Sequence, residues 1–99
     1  MRLAFLVFNE FLIPQVMEFL SVSNIDYYTR WDHVTGKGRG TEPNLGRGGY
    51  PSVNAALLIA FEDEAPRQPL VEQIIRFNAA AVRPDDRVRL FQVSLEVIV

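Results

Sequence analysis

Residues Val53 to Phe61 read VNAALLIAF, and residues Leu3 to Phe8 read LAFLVF. Both runs are short, β-rich and apolar at odd and even positions alike, the pattern of a strand buried on both faces. Two such strands must be central in a sheet, so the rest of the chain has to provide its edges and its cover.

Working outward from these two runs gives the remaining elements. After Leu3–Phe8, Asn9 and Glu10 break the apolar run and Pro14 suits the first turn of a helix. Val16, Met17 and Leu20 then recur at helical spacing, and Asn24 stops the helix. Ile25 to Val34 (IDYYTRWDHV) places Ile25, Tyr27, Thr29 and Trp31 on one face and Tyr28, Arg30 and Asp32 on the other, as an edge strand does. Beyond Phe61, the acidic turn Glu62-Asp63-Glu64 precedes a second helix starting near Pro66 or Pro69. Its buried stripe is expected to be Leu70, Val71, Ile74, Ile75 and Phe77. Pro84, Asp85 and Asp86 make a turn, and Arg87 to Val99 alternates. Phe91, Val93, Leu95 and Val97 are expected inward, with Gln92, Ser94 and Glu96 outward.

The order β-α-β-β-α-β predicts a ferredoxin-like α+β fold over residues 1–99 as one domain. It is a four-stranded antiparallel sheet with two helices on one face and a long mobile loop between strands two and three. The second face of the central strands, carrying Leu6, Phe8, Leu57 and Ile59 or their neighbours, is too apolar to stand in water. A further copy of the chain is its simplest cover, which predicts a homo-oligomer.

Composition narrows the function. Ninety-nine residues suit one domain, and eleven aromatic side chains exclude disorder as the main state. There is no cysteine, hence no disulfide, thiolate zinc site or cysteine nucleophile. A single histidine, His33, has no ligand-spaced acidic residues around it, and no Gly-x-Ser-x-Gly elbow is present. No metal site, catalytic residue or enzyme is therefore expected. The net charge of −2 offers polyanions no bulk attraction, and the third strand lacks the RNA-stacking motif known on this topology. Nucleic acid is not an expected partner. The apolar N-terminus is too short for a secretory signal, so a cytoplasmic location is expected.

The glycines are the exception to this even picture: all six lie between Gly36 and Gly49. Arg30 to Arg47 carries a local charge of +2 on an otherwise acidic chain. Successive glycines can turn backbone N–H groups toward an anion, with Lys37 and Arg39 adding charge. Gly36, Lys37, Gly38 and Arg39 are the candidate ligand-binding residues.

This strand and loop resemble the PII signalling proteins, whose superfamily includes the CutA proteins. Tyr28-Thr29, then Gly36-Lys37-Gly38-Arg39, then Thr41-Glu42-Pro43-Asn44-Leu45-Gly46 follow the family's strand, Gly-x-Gly-Arg and T-loop pattern, with one extra residue between Thr29 and Gly36. The resemblance implies a trimer with ligand clefts between subunits. It also implies a T-loop that controls a partner protein, a transporter or a metabolic enzyme, under nucleotide or other anion control. Thr41, Glu42, Leu45, Arg47 and Tyr50 would be its partner-facing residues. The sequence departs from the family in three places. Gly40 replaces the glutamine used in 2-oxoglutarate sensing, Asn44 replaces the modified tyrosine, and AAAVRPDDR (79–87) replaces the Gly-Lys-rich phosphate clamp. Two alternatives stay open: a CutA-like divalent-metal-response protein, and a small-molecule-binding module of the ACT type.

Overall fold

In the computed structural model, residues 1–37 and 53–99 are described. The elements run β1 (Arg2–Asn9), α1 (Ile13–Val22), β2 (Thr29–Val34), β3 (Asn54–Phe61), α2 (Arg67–Ala80) and β4 (Arg89–Ser94). Two 3-10 turns, Glu10–Leu12 and Pro84–Asp86, precede α1 and β4. The strands form one antiparallel sheet in the order β2-β3-β1-β4, so β1 and β3 are central as the two apolar runs require. This is the ferredoxin-like α+β arrangement.

Register decides which residues face the helices, because directly opposed residues on antiparallel strands share a face. Ala4 opposes Ile59, Leu6 opposes Leu57 and Phe8 opposes Ala55. All six are buried with Val16, Phe19 and Leu20 of α1 and Leu70 and Ile74 of α2. The helix face of the sheet thus holds Leu6, Phe8, Leu57 and Ile59, and their neighbours Phe5, Val7, Ala56 and Leu58 form the opposite, open face. Phe19 and Phe77 meet edge to face across the two helices, with ring centroids 5.5 Å apart. The Gln73 amide ties the helices by donating to the Phe19 carbonyl (3.1 Å) and to the hydroxyl of buried Ser23 (2.8 Å). Asn24 ends α1 in the left-handed region (φ 59°), and the Ile25 N–H returns to the Leu20 carbonyl.

Three expectations are corrected. Strand β2 begins at Thr29, since Ile25 turns inward to join the core, and Tyr27 packs edge-on against Phe61. Ile75 is exposed, because the α2 stripe runs through Leu70, Ile74 and Phe77 at helical spacing and leaves Ile75 off it. In β4 the faces are reversed: Val88 and Leu90 pack on the core, while Phe91 and Val93 lie on the open face, 54% and 56% exposed. Leu95 and Val97 lie past the end of the strand. Alternation establishes two faces but does not say which is inward, and here the buried Val88 sets the phase.

Candidate functional site

Across the open face the register lines residues up in rows. One row is Trp31, Ala56, Val7 and Arg89, taken through β2, β3, β1 and β4. Its middle members are small and its ends large, so it forms a trough with an indole at one end and a guanidinium at the other. Three strand spacings put those ends roughly 14 Å apart at the backbone. The adjacent row, Thr29, Leu58, Phe5 and Phe91, is mostly apolar and makes one bank.

The other bank comes from a bulge. Trp31 opposes Ala56 and Val34 opposes Asn54, so Asp32 and His33 together face the single residue Ala55 between them. The extra residue returns Val34 to the same face as Trp31, and the chain enters the trough through Thr35, Gly36 and Lys37. His33 carries the bend at φ 57°, a left-handed conformation uncommon outside glycine and better tolerated by His than by branched residues. Glu10 holds it there: one carboxylate oxygen accepts both the His33 backbone N–H (3.1 Å) and its ring Nδ1 (3.0 Å). The Glu10 N–H in turn donates to the Val53 carbonyl (2.9 Å), so one residue ties together both roots of the segment 35–53.

The far wall is the turn before β4. Asn78 in the last turn of α2 accepts the Val88 N–H on its Oδ1 and donates from its Nδ2 to the Val88 carbonyl. With Val88 buried, Arg87 and Arg89 flank it and line the cleft together with Pro84 and Asp85. The cleft has a volume of about 570 Å³. Lys37, Arg87 and Arg89 have no ion-pair partner among the described residues, whereas Arg30 is paired with Asp32 and Arg83 with Asp85. Three cations without a partner among the described residues, in one cleft with Trp31 and Phe91, make a site for an anion attached to a planar or apolar group.

Of the residues expected from sequence to bind a ligand, the structure brings Gly36 and Lys37 into this cleft. Gly38 and Arg39 lie outside the described residues, as do Thr41, Glu42, Leu45, Arg47, Tyr50 and the expected mobility of the loop. Sequence reasoning missed Trp31, Arg87 and Arg89. The signal for the two arginines was their spacing about Val88, which puts both on one face once that valine is inward. Among the described residues no group of three His, Asp or Glu is placed to hold a metal ion, and no helix is long and apolar enough to cross a membrane.

Solved structures share this architecture. Chains that superpose include CPII of Thiomonas intermedia K12 bound to ADP and bicarbonate, at a TM-score of 0.68 and 16% identity. That superposition covers 93% of this chain and 84% of that one. The fold is that of the PII-like proteins. A CPII structure with ADP, AMP and bicarbonate superposes at 0.65 and 16% identity, covering 97% and 94% of the two chains. A PII-like signalling protein of Thermus thermophilus does so at 0.60 and 14%, covering 93% and 83%. No protein-family model matches the sequence, and no curated protein matches it.

Proposed function

We propose that this chain is a PII-like regulatory protein that binds an anionic ligand, a nucleotide or bicarbonate, in the open-face cleft. It passes that occupancy to a partner protein through the segment between β2 and β3. The observation that carries the reading is that Lys37, at the root of that segment, and Arg87 and Arg89, on the far wall, line one cleft with no ion-pair partner among the described residues. A ligand there touches the segment's first residues, so binding free energy is linked to its conformation. Superposable PII-like chains hold ADP, AMP and bicarbonate, which supports this ligand class. Gly38 and Arg39 would complete the anion site, and Thr41, Glu42, Leu45, Arg47 and Tyr50 would meet the partner. The role is that of a regulator, not a catalyst.

The working form in this proposal is a homotrimer. Phe91 and Val93 of β4 point to the open face while Leu90, Gln92 and Ser94 take the helix side, which supports an open face covered in the assembly.

Calorimetry with ADP, AMP and bicarbonate on the wild type, Lys37→Ala and Arg89→Ala tests the reading. Binding that weakens about tenfold or more in each variant supports it, one charge-assisted hydrogen bond being worth ~1.5–3 kcal/mol. Equal affinity in all three proteins would remove the cleft from the function. Deleting residues 41–52, which keeps Gly38 and Arg39, should leave most ligand affinity in place and abolish capture of the partner.

A further inference from the structure

A second concavity lies on the helix side of the same end of the sheet, separated from the cleft by the 3-10 turn Pro84–Asp86. Its floor is Leu12, Phe77 and Ala80, its walls are Phe11 and Val82, and its volume is about 470 Å³. The walls are 79% and 92% exposed. Walls this exposed suit an occupant that brings its own cover, as a protein surface does.

The charge at its rim is of one sign. Asp86 lines the groove, and its carboxylate has no partner among the described residues. The C-terminus of α2 opens onto the same spot, with no basic side chain in its last turn to offset the partial negative charge of the terminal carbonyls. Of the two nearby cations, Arg83 is held by Asp85, and Arg87 lines the open-face cleft on the other side of the turn. Carboxylate and helix end therefore add, and both favour a cation next to an apolar floor.

We propose that this groove docks a partner-protein segment presenting one large apolar side chain, with a Lys or Arg on the same face. The apolar group sits between Phe11 and Val82, and the cation bridges Asp86 and the end of α2. A second copy of the chain is disfavoured as the occupant because, on the function proposed above, assembly uses the open face, across the turn.

The probes are two blocked alanine-rich helical peptides, each with one Phe and with either Arg or Glu four residues before it. They are titrated into the isotope-labelled full chain. The Arg peptide should shift the amide resonances around Phe11, Val82 and Asp86 and bind at least fivefold tighter than the Glu peptide. Phe11→Ser should abolish that binding, and Asp86→Lys should invert the preference. Both side chains are exposed, so the fold should tolerate these changes. Equal binding of the two peptides, no binding, or shifts confined to Trp31 and Arg89 would overturn the proposal. So would an oligomer that dissociates on Phe11→Ser, since the occupant would then be another copy. Nucleotide binding, read separately by calorimetry, tests the cleft and not this groove.

Discussion

The Asn78 amide and the Val88 peptide group exchange two hydrogen bonds, of 2.7 and 2.8 Å, in the way two strands would. A side chain at the end of a helix thereby acts as the strand partner of the residue leading into β4. This fixes the phase of the strand, and with it the side of the sheet on which Arg87 and Arg89 stand. Asn78→Ala leaves the N–H and carbonyl of a buried residue without partners. The loss should be about 2–4 kcal/mol, seen as a lower urea midpoint with little change in slope. The variant should also lose ligand affinity.

Leu58 and Leu57 are neighbours with opposite fates. Leu57→Asp puts a charge into the core and should prevent folding. Leu58→Asp puts it on the open face and should leave a folded, monomeric protein. Sedimentation equilibrium should read about three times the 11.3 kDa chain mass for the wild type and one for Leu58→Asp. A wild type that is already monomeric would end the trimer proposal.

Trp31 is the only tryptophan of the chain and lines the cleft, so its emission should report occupancy directly. Adding ADP should change its intensity with the same affinity that calorimetry finds. The response should be displaced to higher ligand concentration in Arg89→Ala.

Glu64 provides a pH test. Its hydrogen bond from Arg67 is the main reason its carboxyl sits below the usual carboxylate range, with the charges of Arg67 and Arg2 adding to it. A lowered folded-state value stabilises the protein above the usual range, and the contribution is lost as pH falls through the folded value. Glu64→Gln should therefore lower the thermal midpoint slightly at neutral pH, the group being solvent-exposed, with the gap to wild type closing on acidification.

Glu10 tests the bulge. Removing its carboxylate by Glu10→Ala takes away the acceptor for two groups of His33. Hydrogen exchange at the His33 amide should accelerate, while the amides of Leu57 and Ile59 keep their protection.

The two central strands were legible in the sequence because runs apolar on both faces have few alternatives. The helices were legible from Pro14, Asn24 and the spacing of Leu70, Ile74 and Phe77. The edges were harder. The bulge at Asp32–His33 carries no glycine, the residue that usually marks a left-handed bend, because a carboxylate distant in sequence holds it instead. The β4 faces misled because Phe91 and Val93 are the more apolar set and still point away from the helices. The arginines of the cleft were hidden for the same reason: their direction follows from Val88, whose inward position is fixed by Asn78, ten residues earlier in the chain.

The pairing of Val34 with Asn54 has one more consequence. Val34–Asn54 is the last described pair between β2 and β3, and Glu10 is bonded on both sides of it, to His33 and to Val53. The closure cost of a connection grows only with the logarithm of its length, about 0.6 kcal/mol for each doubling. Once the rung is fixed, what lies between can be lengthened, shortened or rewritten at little cost to the platform. The sheet is then a socket that tolerates rewriting of the connection it carries while the fold beneath stays the same.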